Sequence, residues 1–130
     1  MSAPTPTGLS EVVGDEVYVA GSSETSVELS RGVRWTINLT SGTITDTRTR
    51  PEDSHALGAG SAGATAGFLD GGRGTAGTAF LWRGSELLLL KPPKLGNGKA
   101  WAISPSGAFV AGDAIFGATR HATRWTILSP

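Results

Sequence analysis

The stretch "GDEVYVAGSSETSVELSRGVRWTI", Gly14 to Ile37, decides the fold, because "SPSGAFVAGDAIFGATRHATRWTI", Ser104 to Ile127, says nearly the same thing again. Each has a V-A-G step, a variable stretch, and then R-W-T-I. Between them "TAG" ends at Gly67, and Trp82 follows. Gly21, Gly67 and Gly112 thus precede Trp35, Trp82 and Trp125 by 14, 15 and 13 residues. The tryptophans are 47 and 43 residues apart, a period near 45 in three copies. A fixed period of this length marks a repeat architecture, in which each unit buries its apolar face only against its neighbours. Upstream, "AWAISPSGAFVAG" (Ala100 to Gly112) lies over "LSEVVGDEVYVAG" (Leu9 to Gly21) without a gap, placing Ile103 on Val12 and Phe109 on Tyr18. "HALGAGSAGATAG" (His55 to Gly67) is a worn version of the phrase.

Each copy reads as short strands. "SEVV" or "AWAI" is the first, a "GDE" or "PSG" turn follows, and "VYVAG" or "AFVAG" is the second. The third is "GVRWTI", "TAFLWR" or "ATRWTI", and "GTITDTR" and "ELLLLK" add a fourth to the first two copies. Val33, Trp35 and Ile37 alternate with Arg34 and Thr36, so they take opposite faces of a strand. No stretch carries helical apolar spacing. The expectation is an all-β chain of three four-stranded, β-propeller-like repeats of about 45 residues, with a β-trefoil as the alternative. The chain reads as one repeat domain over 1–130, with repeats at about 9–54, 55–98 and 99–130 and a flexible N-terminus at 1–8. The third copy lacks a fourth strand, and Pro4 and Pro6 make the N-terminus a poor substitute for it.

Composition narrows the function. Acidic and basic residues balance at 11 each among 130, so no global field favours nucleic acid or an anionic membrane. There is no cysteine, which removes disulfides, thiolate metal sites and thiol nucleophiles together. "MSAPTPTGLSEVV" has no signal-peptide character, and the longest aliphatic run, Leu87 to Leu90, is far too short to span a bilayer. The basic spots "SRGVR", "TRTRPE" and "KPPKLGNGK" lack interleaved aromatics. K-P-P-K reads as a stiff connector.

Catalytic constellations do not emerge. Gly58, Gly60 and Gly63 spell G-x-G-x-x-G, but a dinucleotide site needs a buried strand before it and a helix after it; these glycines read as a worn turn. His55 and His121 sit in different repeats without an evident set of acid ligands, so no metal site is expected. Asp15, Glu16, Glu52 and Asp53 read as turn acids rather than a glycosidase pair. Asn38-Leu39-Thr40 is a formal glycosylation sequon that reads as an ordinary turn. No enzyme activity and no cofactor are expected.

The phrases "GAFVAGDA…HATRWT" and "GTAFLWRGSEL" resemble the HAF repeat, roughly G-x-V-V-G-x-S followed by a loop and H-A-F-x-W. His121, Ala122 and Trp125 match its second half in the third copy, and Thr78, Ala79, Phe80 and Trp82 match it in the second, with Thr in place of His. The first copy has Gly32, Val33 and Trp35 there. The resemblance implies a propeller-like β structure and an extracytoplasmic, extracellular origin, and no catalytic motif. It leaves a non-catalytic module for assembly or protein recognition, with a lectin-like carbohydrate-binding domain as the alternative.

Trp35, Trp82 and Trp125, with Gly21, Gly67 and Gly112, are the structural repeat positions. Their rings are expected between sheets, with Arg34 and Arg124 facing outward. Trp101, aligned with Ser10 and Leu57, is the candidate contact for a partner, protein or glycan. The unfinished third copy predicts a homo-oligomer, a closed ring of copies, or the remainder of a longer repeat chain.

Overall fold

The computed structural model describes residues 5–26, 29–61, 63–70, 77–90, 97–116 and 119–127; the K-P-P-K connector lies outside them. Eleven strands and no helix are found among the described residues. Strands β1 (Thr5–Leu9), β2 (Glu16–Ser26), β3 (Leu29–Asn38) and β4 (Thr43–Thr49) form the first sheet in that order. The second holds β5 (Ser54–Ala59), β6 (Thr65–Leu69), β7 (Thr78–Arg83) and β8 (Glu86–Leu90). The third holds β9 (Asn97–Ile103), β10 (Phe109–Phe116) and β11 (Thr119–Thr126). All pairings are antiparallel between consecutive strands. The first strand of each sheet meets the sheet before it: β5 lies against β1, β2 and β3, and β9 against β5, β6 and β7.

The repeated words of the sequence occupy one register. In every sheet the tryptophan stands opposite the residue two before the repeated glycine: Val19 and Trp35, Thr65 and Trp82, Val110 and Trp125. In every sheet the first strand carries a one-residue bulge facing the A-G step, at Thr7, Leu57 and Trp101. The bulge brings the neighbouring strand onto the glycine. A Cβ on Gly21, Gly67 or Gly112 would stand 2.3, 2.0 or 2.0 Å from the carbonyl oxygen of Thr5, His55 or Lys99. Only glycine lets the backbones approach so closely, which is why the A-G step recurs.

Two expectations about the first repeat are corrected. Its first strand is Thr5–Leu9, not "SEVV", so the first repeat reaches back past residue 9 and 5–8 are not a loose tail. Proline is tolerated because β1 is an edge strand, where a missing donor need not break the ladder. Val13 makes only an isolated bridge to Glu16, and Val12 is exposed. The ungapped alignment therefore slips by three residues: Leu9, opposite Val19, matches Ile103, opposite Val110. The bulge at Trp101 then corresponds to Thr7, not Ser10.

The second sheet is covered on both sides. Along β7 the alternation of the outer sheets disappears, and Ala79, Phe80, Leu81 and Trp82 are all buried. Ala79 and Leu81 join Ala64, Ala66, Leu90, Ala100 and Val110 in the core shared with the third sheet, with Trp125 and Ile103 packed against it. Phe80 and Trp82 point the other way. Burying side chains such as Phe80 and Leu81 stabilises by about 1.5–3 kcal/mol each. The apolar cluster shared by the first two sheets is smaller, Ala20, Ala56 and Ala59 with Tyr18 beside them.

Thr65 is the flaw in this core. It is fully buried at the position held by Val19 and Val110 in the other sheets, and its hydroxyl has no hydrogen-bond partner among the described residues. Thr65→Val keeps the shape and removes a stranded polar group, so it is expected to stabilise the fold by about 1 kcal/mol. A denaturant midpoint at or below that of the parent chain would count against the repeat register.

Candidate functional site

Three places bring functional side chains together. The first is the seam between the first two sheets. Arg34 was expected to face solvent; it is instead buried at 7 % exposure, with its guanidinium 5.1 Å from the centroid of Trp82. Its face of β3 is the one that the second sheet covers. The guanidinium donates to the carbonyl of Gly63. Burial holds the Arg34 pKa below the ordinary arginine value; the nearby charge of Arg48 adds to this, and Asp46 and Tyr18 oppose it. Arg50 approaches the same indole at 5.2 Å and is itself held by both carboxylate oxygens of Glu52, at 2.8 Å each. That hydrogen bonding keeps the Glu52 carboxyl below its usual pKa. Trp82 is 3 % exposed, whereas Trp35 and Trp125 are half-buried. The repeated position is thus fully enclosed only in the middle sheet.

The second place is the outer face of the third sheet. Trp101, on its bulge, is 49 % exposed and donates from Nε1 to Asp113 at 3.2 Å. Arg120 Nε lies 3.8 Å from the same oxygen. With Ala102, Ala111 and Ala122 they line an open groove of about 480 Å³. Arg124 is exposed here, 5.5 Å above the ring of Phe109.

The third place was missed from sequence. His55 does have acid neighbours: Asp53, Asp70 and His55 place one potential ligand atom each within 4.8 Å of one another. Asp53 and His55 were visible as D-x-H. Asp70 arrives only through the pairing of Ser54 with Leu69, a register that no local pattern announces. Donors around a zinc ion at about 2.1 Å from each would stand roughly 3.4 Å apart, so the group is looser than a formed site. Its members are engaged otherwise. His55 Nε2 lies 3.8 Å from Asp70, and Nδ1 lies 3.4 and 3.5 Å from the hydroxyls of Ser22 and Ser30. The ring stacks on Phe68 at 4.8 Å, and Asp53 accepts the Ser30 amide at 3.1 Å. These contacts clamp the second sheet to the first.

Gly58, Gly60 and Gly63 lie on β5 and the hairpin turn after it, where Gly63 takes φ +86°. The strand β6 follows them, so among the described residues no helix N-terminus stands there to receive a phosphate. Among the described residues no helix is long and apolar enough to cross a membrane. Comparison with protein-family models, with curated proteins and with solved structures returned no match.

Proposed function

We propose that the chain is a non-catalytic, propeller-like repeat module whose work is association with protein through the two end faces of its sheet stack. One observation carries this reading: all three sheets repeat one register, and each successive pair packs the forward face of one on the tryptophan face of the next. Consecutive antiparallel meanders of four, four and three strands, with no strand pairing from sheet to sheet among the described residues, favour propeller blades over the barrel and hairpins of a trefoil. The HAF-like phrases point the same way and supply the extracytoplasmic setting. Among the described residues this stack leaves a face unmatched at each end, and repeat arrays need such faces covered.

The lectin alternative draws on the exposed Trp101 beside Asp113 and Arg120, since sugars stack on exposed rings and accept polar contacts at their edge. A glycan array separates the two. Under the association reading the parent chain retains no glycan. Retention of a defined glycan, lost at least tenfold in a folded Trp101→Ala variant, overturns that reading in favour of the lectin.

A further inference from the structure

Within each sheet the tryptophan faces backward along the stack, and the residue just before it faces forward. Arg34 reaches forward to Trp82. Leu81 reaches forward into the core against which Trp125 packs. Arg124 is third in this series, and among the described residues it stands over Phe109 of its own sheet. At the other end Trp35 is half-buried, and among the described residues no guanidinium stands over it. The apolar residues show the same mismatch. Tyr18 and Ala20 pack forward on Ala56 and Ala59 of the second sheet. Their register equivalents in the third sheet, Phe109 and Ala111, are exposed, Phe109 at 45 %. Leu9 stands where Ala59 stands in the second sheet, and it is 70 % exposed.

We infer that the forward face of the third sheet docks on the Trp35 face of a second copy of this chain, with Arg124 of each copy stacked on Trp35 of the other and Phe109 covering Leu9. The contact reproduces between copies the seam that Arg34 and Trp82 form within one. Two such contacts about a twofold axis close a ring of six sheets, within the usual range for closed propellers. One position departs from the internal seam. Gly8 and Gly58 admit the next strand so closely that a Cβ would stand 2.4 and 2.9 Å from the carbonyl oxygens of Leu57 and Trp101. The third member of that series is Ala102. Its methyl holds the incoming β1 away, so the contact between copies is weaker than the internal seams and reversible on dilution.

This rests on the stacked-repeat reading, and light scattering after size exclusion tests it over a hundredfold dilution series. The expected result is a species of twice the 13.3 kDa chain mass that dissociates on dilution. Arg124→Glu and Trp35→Ala each weaken the dimer at least tenfold with unchanged far-UV circular dichroism. Ala102→Gly strengthens it. A mixture of the two weakened variants forms a heterodimer in preference to either homodimer, because one of its two contacts is then intact. A monomer at every concentration that also retains no glycan overturns the pairing alone and leaves the association reading standing. A dimer indifferent to both substitutions overturns the Arg124–Trp35 contact. Glycan retention at Trp101 overturns the reading beneath it.

Discussion

Gly67→Ala is expected to destabilise the chain by about 3 kcal/mol or more, the upper end of what overpacking costs. The new methyl carbon would sit 2.0 Å from the His55 carbonyl oxygen and 3.0 Å from the Ala56 Cα. Both are backbone atoms, so no rotamer change relieves the clash; β5 itself has to retreat. It has nowhere to go, because it is wedged between the strands of the first sheet and β9. The same substitution at Gly21 meets the Thr5 carbonyl of β1 at 2.3 Å, and an edge strand carrying a proline gives way more readily. A smaller loss is expected there. Gly32→Ala is the control, since its nearest neighbour would be the Ser54 hydroxyl at 3.3 Å. Against a total stability of roughly 5–15 kcal/mol, the Gly67 effect is large enough to read from a single urea melt. A shift within 0.5 kcal/mol of the parent chain, in the range of an ordinary surface change, would show that the bulge does not press on the A-G step.

The glycines were legible in sequence because their cause is local and recurs three times. A bulge on one strand and a glycine on the next leave the same word at each repeat. The first strand was not legible. Val12 and Val13 look like a strand and "TPTGL" looks like a tail, and only the pairing of Leu9 with Val19 reverses that reading. The first repeat carries three more residues between Leu9 and Val19 than the third carries between Ile103 and Val110, and an ungapped alignment hides them.

Arg34 is the more instructive miss. Alternation placed it correctly on the face opposite Trp35. Whether that face meets water depends on the sheet that comes next, which no pattern within one strand records. The signal was present elsewhere: the equivalent residue of the second repeat is Leu81, and an aliphatic residue at that position marks a covered face. The Asp53–His55–Asp70 clamp was harder still, since its third member comes from across a hairpin.

Trp82→Ala is expected to cost about 3–5 kcal/mol, the usual range for emptying a large aromatic site. The ring is 3 % exposed and lies in a strand buried on both faces, so the surrounding sheets have little freedom to collapse into the space. The loss is compounded by Arg34. Its guanidinium is buried, and it would keep the Gly63 carbonyl while losing the indole face that receives its charge. Water entering the vacated space is the only replacement, and a partly hydrated cation then sits inside the seam. Trp125→Ala should cost less, because that ring is half-buried at the margin of its core; Trp35→Ala should cost the monomer least, since no sheet among the described residues covers it. Arg34 itself separates the two components. Arg34→Met retains the stem that fills the seam and removes the buried charge, and a buried cation is often replaced by an apolar side chain with little loss. It is expected to change stability by less than about 1.5 kcal/mol alone, and to make a following Trp82→Ala less damaging than in the parent chain. Urea melts of the two single variants and the double variant give the coupling directly. If the two losses simply add, Arg34 and Trp82 do not act as one unit, and the stacking that defines the seam has no energetic weight.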